Sequence, residues 1–221
     1  SLHSWFAHIP GLRVVMPATP YDAKGLLIAS VEDDNPVICL EHRWLYNVSG
    51  PVPESVYRVP LGEARVLRQG SDLTIVSYSY MTLEALRAAD ALVTVGVETE
   101  VIDLRSIRPW DERLVLDSVR KTGRLLVVDM SSKTMGFGAE VVSTVAERLW
   151  GALKTPPRRL GFPECPVPTS PALAQHYYPR AVDVLTVASE IMQLEHVPSA
   201  VLPDEDGQPL DVPDPSFSGP F

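Results

Sequence analysis

Short apolar runs rich in β-branched residues alternate along this chain with longer stretches whose apolar residues fall at helical spacing. That alternation constrains the fold more than any other feature. Arg13–Met16, Pro36–Leu40, Val59–Arg65, Leu73–Tyr78, Glu100–Leu104, Arg124–Asp129 and Pro156–Leu160 read as strands. Helices are expected from Pro20 to Glu32, over Met81–Thr94, from Pro109 and Asp111 to Lys121, over Ala139–Leu149 and over Ala181–Met192. Strand–helix repetition of this kind predicts an α/β fold with a mainly parallel sheet covered on both faces and right-handed crossovers.

Local chemistry sets several boundaries. Thr19 suits a helix cap, and Pro20 in the first turn loses no needed donor. Asp33-Asp34-Asn35-Pro36 stops that helix, because the residue before a proline avoids the helical region. Gly50, Pro51 and Pro53 mark a linker. The expected organisation is a first unit over 1–48, a linker over 49–57, a second unit over 58–192 and a tail over 193–221.

The tail is set apart by charge. Glu195, Asp204, Glu205, Asp206, Asp211 and Asp214 lie in it with no Lys or Arg, and they supply six of the nine net negative charges of the chain. Its prolines remove backbone donors, so it reads as an extended arm, either solvated or laid on a partner through Leu210, Val212, Phe217 and Phe221. The net charge of −9 argues against a nucleic-acid partner. Apolar runs such as Leu125–Val128 fall far short of the roughly 20 residues of a membrane span. Two cysteines, Cys39 and Cys165, make neither a disulfide framework nor a metal knuckle. With no leader-like start, a cytoplasmic setting is expected.

Three places carry candidate chemistry. The turn from Ser30 to Pro36 ends a helix, where carbonyls lack partners. The Ser30 carbonyl, Asp33 and Asn35 suit a hard cation there, and the same residues suit a plain helix stop with an Asx turn. Gly136-Phe137-Gly138 opens a helix, fit for an anion or for close helix–sheet packing. His3 and His8, five residues apart, are expected near one helix face, with His8 the better candidate for proton chemistry. No metal-ligand spacing and no nucleophile elbow is present. The residues alone give no reaction.

Longer segments carry a resemblance. Trp5-Phe6-Ala7-His8-Ile9-Pro10-Gly11-Leu12, Val14-Val15-Met16-Pro17-Ala18-Thr19-Pro20-Tyr21-Asp22-Ala23-Lys24-Gly25-Leu26, Asp33-Asp34-Asn35-Pro36-Val37, Val101-Ile102-Asp103-Leu104-Arg105-Ser106-Ile107-Arg108-Pro109-Trp110-Asp111, Lys121-Thr122-Gly123-Arg124-Leu125 and Gly138-Ala139-Glu140 resemble the beta subunits of 2-oxoacid dehydrogenase first components. These are transketolase-like thiamine-diphosphate enzymes of the pyruvate and branched-chain complexes. The resemblance runs from about residue 1 to 192.

The resemblance implies the end of a pyrimidine-binding domain followed by a transketolase C-terminal-type domain. It implies thiamine diphosphate as cofactor, with magnesium and the diphosphate held by an alpha subunit. The implied partners are that alpha subunit, a second beta subunit in a heterotetramer, and a lipoyl acyltransferase core. It implies potassium at the turn of Ser30, Val31, Asp33 and Asn35, partly through carbonyls. The family's cofactor glutamate and its His-Ser-Gln histidine would lie upstream of Ser1. No catalytic or cofactor-binding residue is therefore assigned here, and the chain alone is expected to be inactive. The alternative is a non-catalytic assembly or docking module of the same fold. Asp129-Met130-Ser131-Ser132 departs from the family, where glutamate-based sequence is common, and is expected to alter a subunit or carrier contact.

Overall fold

The computed structural model describes residues 2–174 and 176–199; Leu210, Val212, Phe217 and Phe221, the expected tail anchors, lie outside the described residues. The chain runs α1 (His3–His8), β1 (Arg13–Val15), α2 (Pro20–Glu32), β2 (Val37–Cys39), then a 3-10 turn over Arg43–Leu45. After an irregular stretch come β3 (Arg65–Arg68), β4 (Leu73–Ser77), α3 (Met81–Val93), β5 (Thr99–Asp103), β6 (Ser106–Arg108), α4 (Glu112–Thr122) and β7 (Leu125–Ser132). The last elements are α5 (Phe137–Leu149), β8 (Arg158–Phe162), α6 (Pro171–Ala174) and α7 (Ala181–Met192).

Five strands form the main sheet in the order β3-β5-β4-β7-β8. The pairs β5/β4, β4/β7 and β7/β8 are parallel, and edge strand β3 runs antiparallel to β5. Helices α3 with α7, and α4 with α5, pack over it. Central strands covered in this way carry uninterrupted apolar residues: Ile75, Val76, Leu126 and Val127 are fully buried. A smaller sheet, β2-β1-β6, pairs β1 parallel to β2 and antiparallel to β6. Because β6 follows β5 directly in the chain, this second sheet stitches the first unit to the second.

The expected strand over Val59–Arg65 is a correction. The strand is Arg65–Arg68, and the residues before it are irregular. Pro60 has no donor for a ladder, and Gly62 at φ 92° turns the chain. Val59 is buried for another reason. It sits against Gly25 of α2 and donates its N–H to the Gly25 carbonyl at 3.2 Å. A Cβ on Gly25 would come within 2.5 Å of the Val59 side chain, so only glycine lets this segment lie on the helix.

The linker is held to α2 along its length. Lys24 donates its ammonium to the carbonyls of Pro53, Glu54 and Ser55, and Tyr57 stacks on Tyr21 with centroids 4.5 Å apart. Thr19 caps α2 by accepting from the Asp22 N–H at 3.1 Å, and Asp111 caps α4 from the Leu114 N–H at 3.0 Å. Buried Glu84 on α3 accepts the Ala181 N–H at 2.7 Å and the Tyr80 hydroxyl at 2.5 Å, so α3 supplies the anion at the start of α7.

Candidate functional site

The turn after α2 is closed by its own side chains. Asp33 accepts from the Asn35 backbone N–H at 2.8 Å and from its side-chain amide at 2.9 Å. Arg13 lies 3.2 Å from the same carboxylate. The two Asn35 hydrogen bonds, helped by the Arg13 charge and opposed by slight burial, hold the Asp33 carboxyl below the usual range. The Ser30 hydroxyl donates to the Leu26 carbonyl at 2.7 Å, and Val31 points outward at 79% exposure. Among the described residues no group of three His, Cys, Asp or Glu side chains is placed to hold a metal ion. Any cation at this turn would rest on backbone carbonyls.

His3 and His8 do not share a helix face. Five residues at 100° each leave them about 140° apart around the axis. His3 is fully buried, and His8 is exposed. His3 Nε2 lies 3.1 Å from Asp129 Oδ1 and 2.9 Å from the Tyr78 hydroxyl. Asp129, at the end of the buried run of β7, is the hub. It accepts from the Tyr78 hydroxyl, from the Ser131 N–H at 3.0 Å and hydroxyl at 2.8 Å, and from the Gly138 N–H at 2.8 Å. Burial alone would raise its carboxyl; the hydrogen bond and charge of His3, then Tyr78 and Gly138, bring it below the ordinary value.

This arrangement answers the two readings of Gly136-Phe137-Gly138. The helix start does meet an anion, and the anion is the protein's own Asp129. A Cβ on Gly138 would lie 3.2 Å from Val127 and 3.3 Å from Asp129, so close packing operates there too. Within Asp129-Met130-Ser131-Ser132, Asp129 points inward and is only 3% exposed, while Ser132 is partly exposed and lines a cavity with Ser131.

A second polar network crosses the junction of the units. Arg105, at φ 56°, places its guanidinium 3.1 Å from the fully buried Asp22 of α2 and bonds the carbonyls of Glu63 and Ala64 at 3.0 and 3.3 Å. Its backbone N–H goes to Asp103 at 3.0 Å. Burial, opposed by the Arg105 N–H and reinforced by the nearby Asp22 charge, leaves the Asp103 carboxyl raised to about 7. Its Oδ2 is buried without a partner. Two adjoining cavities of about 300 and 760 Å³ share Ala18, Thr19, Pro20 and Val48, and Arg105 lines the larger. A third, of about 700 Å³, lies between α1, the end of β6 and the start of α5, with His8 in its wall.

The transketolase C-terminal-domain family matches residues 62–184, and the transketolase pyrimidine-binding-domain family matches residues 1–49. The chain is 45% identical over 188 residues to the beta subunit of acetoin:2,6-dichlorophenolindophenol oxidoreductase of Cupriavidus necator, covering 85% of this chain and 56% of that protein. It is 42% identical over 194 residues to the beta subunit of the pyruvate dehydrogenase E1 component of Bacillus subtilis, covering 87% of this chain and 59% of that protein. A solved structure described as a split-gene transketolase, an inactive beta4 tetramer, superposes with a TM-score of 0.70 at 27% identity, covering 88% of this chain and 61% of that one. The chain thus spans a little over half the length of the curated relatives it matches.

Proposed function

The chain belongs to the transketolase family, and from that premise we propose that it is the beta-subunit portion of a thiamine-diphosphate-dependent 2-oxoacid dehydrogenase. The assembly it serves decarboxylates a 2-oxoacid oxidatively and passes the acyl group to a lipoyl carrier. The observation that carries this reading is the identity of 42–45% to beta subunits, sustained over 188 to 194 residues. Its partners in the proposal are an alpha subunit, a second beta subunit and the acyltransferase core, in the cytoplasm.

The described residues do not fit the cofactor by themselves. They offer no ligand cluster for the magnesium of a diphosphate, and the only carboxylate lining the 700 Å³ cavity is Glu140, an exposed one. In this proposal the alpha subunit holds magnesium and diphosphate. The family's glutamate and histidine belong to beta-subunit sequence outside these residues. What these residues contribute is a rigid base: the His3–Asp129 network ties α1 to the main sheet, and Asp22–Arg105 ties α2 to it.

The 221 residues alone are expected to show no micromolar binding of thiamine diphosphate by calorimetry. A beta subunit carrying them, assembled with its alpha subunit and the cofactor, is expected to reduce an artificial electron acceptor when given a 2-oxoacid. Micromolar binding by the 221 residues refutes the division of labour. An assembled enzyme inert toward every 2-oxoacid tried refutes the activity and leaves the non-catalytic module.

The proposal includes a weak potassium site at the turn of Ser30, Val31, Asp33 and Asn35. Arg13 already neutralises Asp33, so the carbonyls at the end of α2 would supply most of the binding. The assembled protein is expected to melt higher in potassium chloride than in tetramethylammonium chloride at equal ionic strength, because an ion bound only by the folded state stabilises it by mass action. Identical melting in the two salts means the turn is a helix stop and nothing more.

A further inference from the structure

The cavity of about 700 Å³ between α1, the end of β6 and the start of α5 is within the size range of a small-molecule site. Its walls are aromatic: Trp5, Trp110 and Phe137 line it, and the last two meet edge to face with centroids 6.1 Å apart. Three of its polar side chains lack partners. Arg108 is exposed, and its side chain makes no ion pair or hydrogen bond among the described residues; the same holds for the His8 side chain. The Ser4 hydroxyl in the same wall is buried with no hydrogen-bond partner, an arrangement that costs stability unless something completes it.

Two further features point to an occupant. Met135, a lining residue, holds a left-handed backbone at φ 60° with its side chain 87% exposed, and Trp5 is 69% exposed. The positive charge in the wall is that of Arg108, since the start of α5 is already engaged by Asp129 through Gly138.

We propose that this cavity binds a small planar aromatic carboxylate, its ring against the aromatic walls and its carboxylate paired with Arg108. A guanidinium and a carboxylate match as a two-pronged, charge-assisted pair. Aromatic walls favour a flat ring over an aliphatic chain of equal size. Glu140, also in the wall, offers an acceptor for a ring N–H, and it opposes a dianion such as phosphate more than a monocarboxylate. An indole or pyrrole carboxylate meets every one of these conditions.

The test is calorimetric titration of the full chain, in the assembly with which it purifies, using indole-3-carboxylate, indole and inorganic phosphate. Saturable binding of the carboxylate is expected, with indole and phosphate weaker by about tenfold or more. Arg108→Ala is expected to weaken the carboxylate by at least about tenfold, while Arg113→Ala, an exposed arginine of α4 outside the cavity, leaves it unchanged. Arg108 is exposed, so its loss does not threaten folding; Trp5→Ala supplies a second variant with the same expected direction. The proposal is overturned by absence of saturable binding up to about 5 mM, by equal binding in Arg108→Ala, or by indole binding as tightly as its carboxylate. It is overturned as well if hydrogen exchange shows residues 131–137 already covered by another subunit in the ligand-free assembly.

Discussion

Asp129→Ala is expected to lower the unfolding free energy at pH 7 by about 3 kcal/mol or more, because it strands several buried donors at once. The carboxylate it deletes satisfies His3, Tyr78, both donors of Ser131 and the Gly138 N–H at once. Each donor left buried without a partner costs about 1–3 kcal/mol. Asp129→Asn keeps one acceptor oxygen and is expected to lose less. The effect also depends on pH. The folded carboxyl lies below its unfolded value of about 3.9, so its stabilisation is present above that value and is lost as pH falls through the folded one. Urea unfolding is expected to show a gap between wild type and Asp129→Ala that is present above about pH 5 and shrinks below about pH 4. A loss under about 1 kcal/mol at pH 7 would mean the hub is dispensable.

How far this network could be read from sequence depends on distance along the chain. His3 and Asp129 are 126 residues apart, and no local pattern links them. The detectable signal is the polar residue ending a buried apolar run, Leu125–Val128 before Asp129, followed by the glycines at 136 and 138. Asp103 after Val101-Ile102 carries the same signal. Both were visible as motifs, and neither motif says which distant side chain comes to meet it.

Elements with strong local chemistry were legible. α2 lies between a threonine cap with proline in its first turn and an Asn-Pro stop, and β4 is built on the β-branched run Thr74-Ile75-Val76. β3 was misplaced because its residues, Arg65 to Arg68, look like surface, while the apolar Val59 before it is a plug on Gly25. β6 has three residues, too few for a period, and exists because β1 offers it an edge. At the Ser30–Asn35 turn the sequence displayed the Asx geometry that the structure contains. It could not show that Arg13, on the neighbouring strand, reaches Asp33.

The network at the junction of the units yields the opposite pH dependence. Arg105 serves two buried carboxylates unequally: Asp22 takes its guanidinium, and Asp103 receives its backbone N–H. With its carboxyl at about 7, Asp103 keeps a proton in the folded state that the unfolded chain releases near pH 4. Between those values the folded state binds more protons, so this group makes stability fall as pH rises, and the full penalty is present above about pH 7. The gap corresponds to about 4 kcal/mol at most. Asp103→Asn never ionises, and its amide oxygen can still accept the Arg105 N–H. It is therefore expected to be more stable than wild type at pH 8 by up to that amount, with the advantage shrinking through pH 6 and gone near pH 4. Asp22→Asn differs in sign, because it removes the carboxylate that pairs with the buried guanidinium, and it is expected to destabilise at pH 8. Denaturant midpoints of the three proteins from pH 4 to 8 decide the matter. A constant offset between Asp103→Asn and wild type across that range would show that Asp103 is ionised throughout and that Arg105 serves both carboxylates equally.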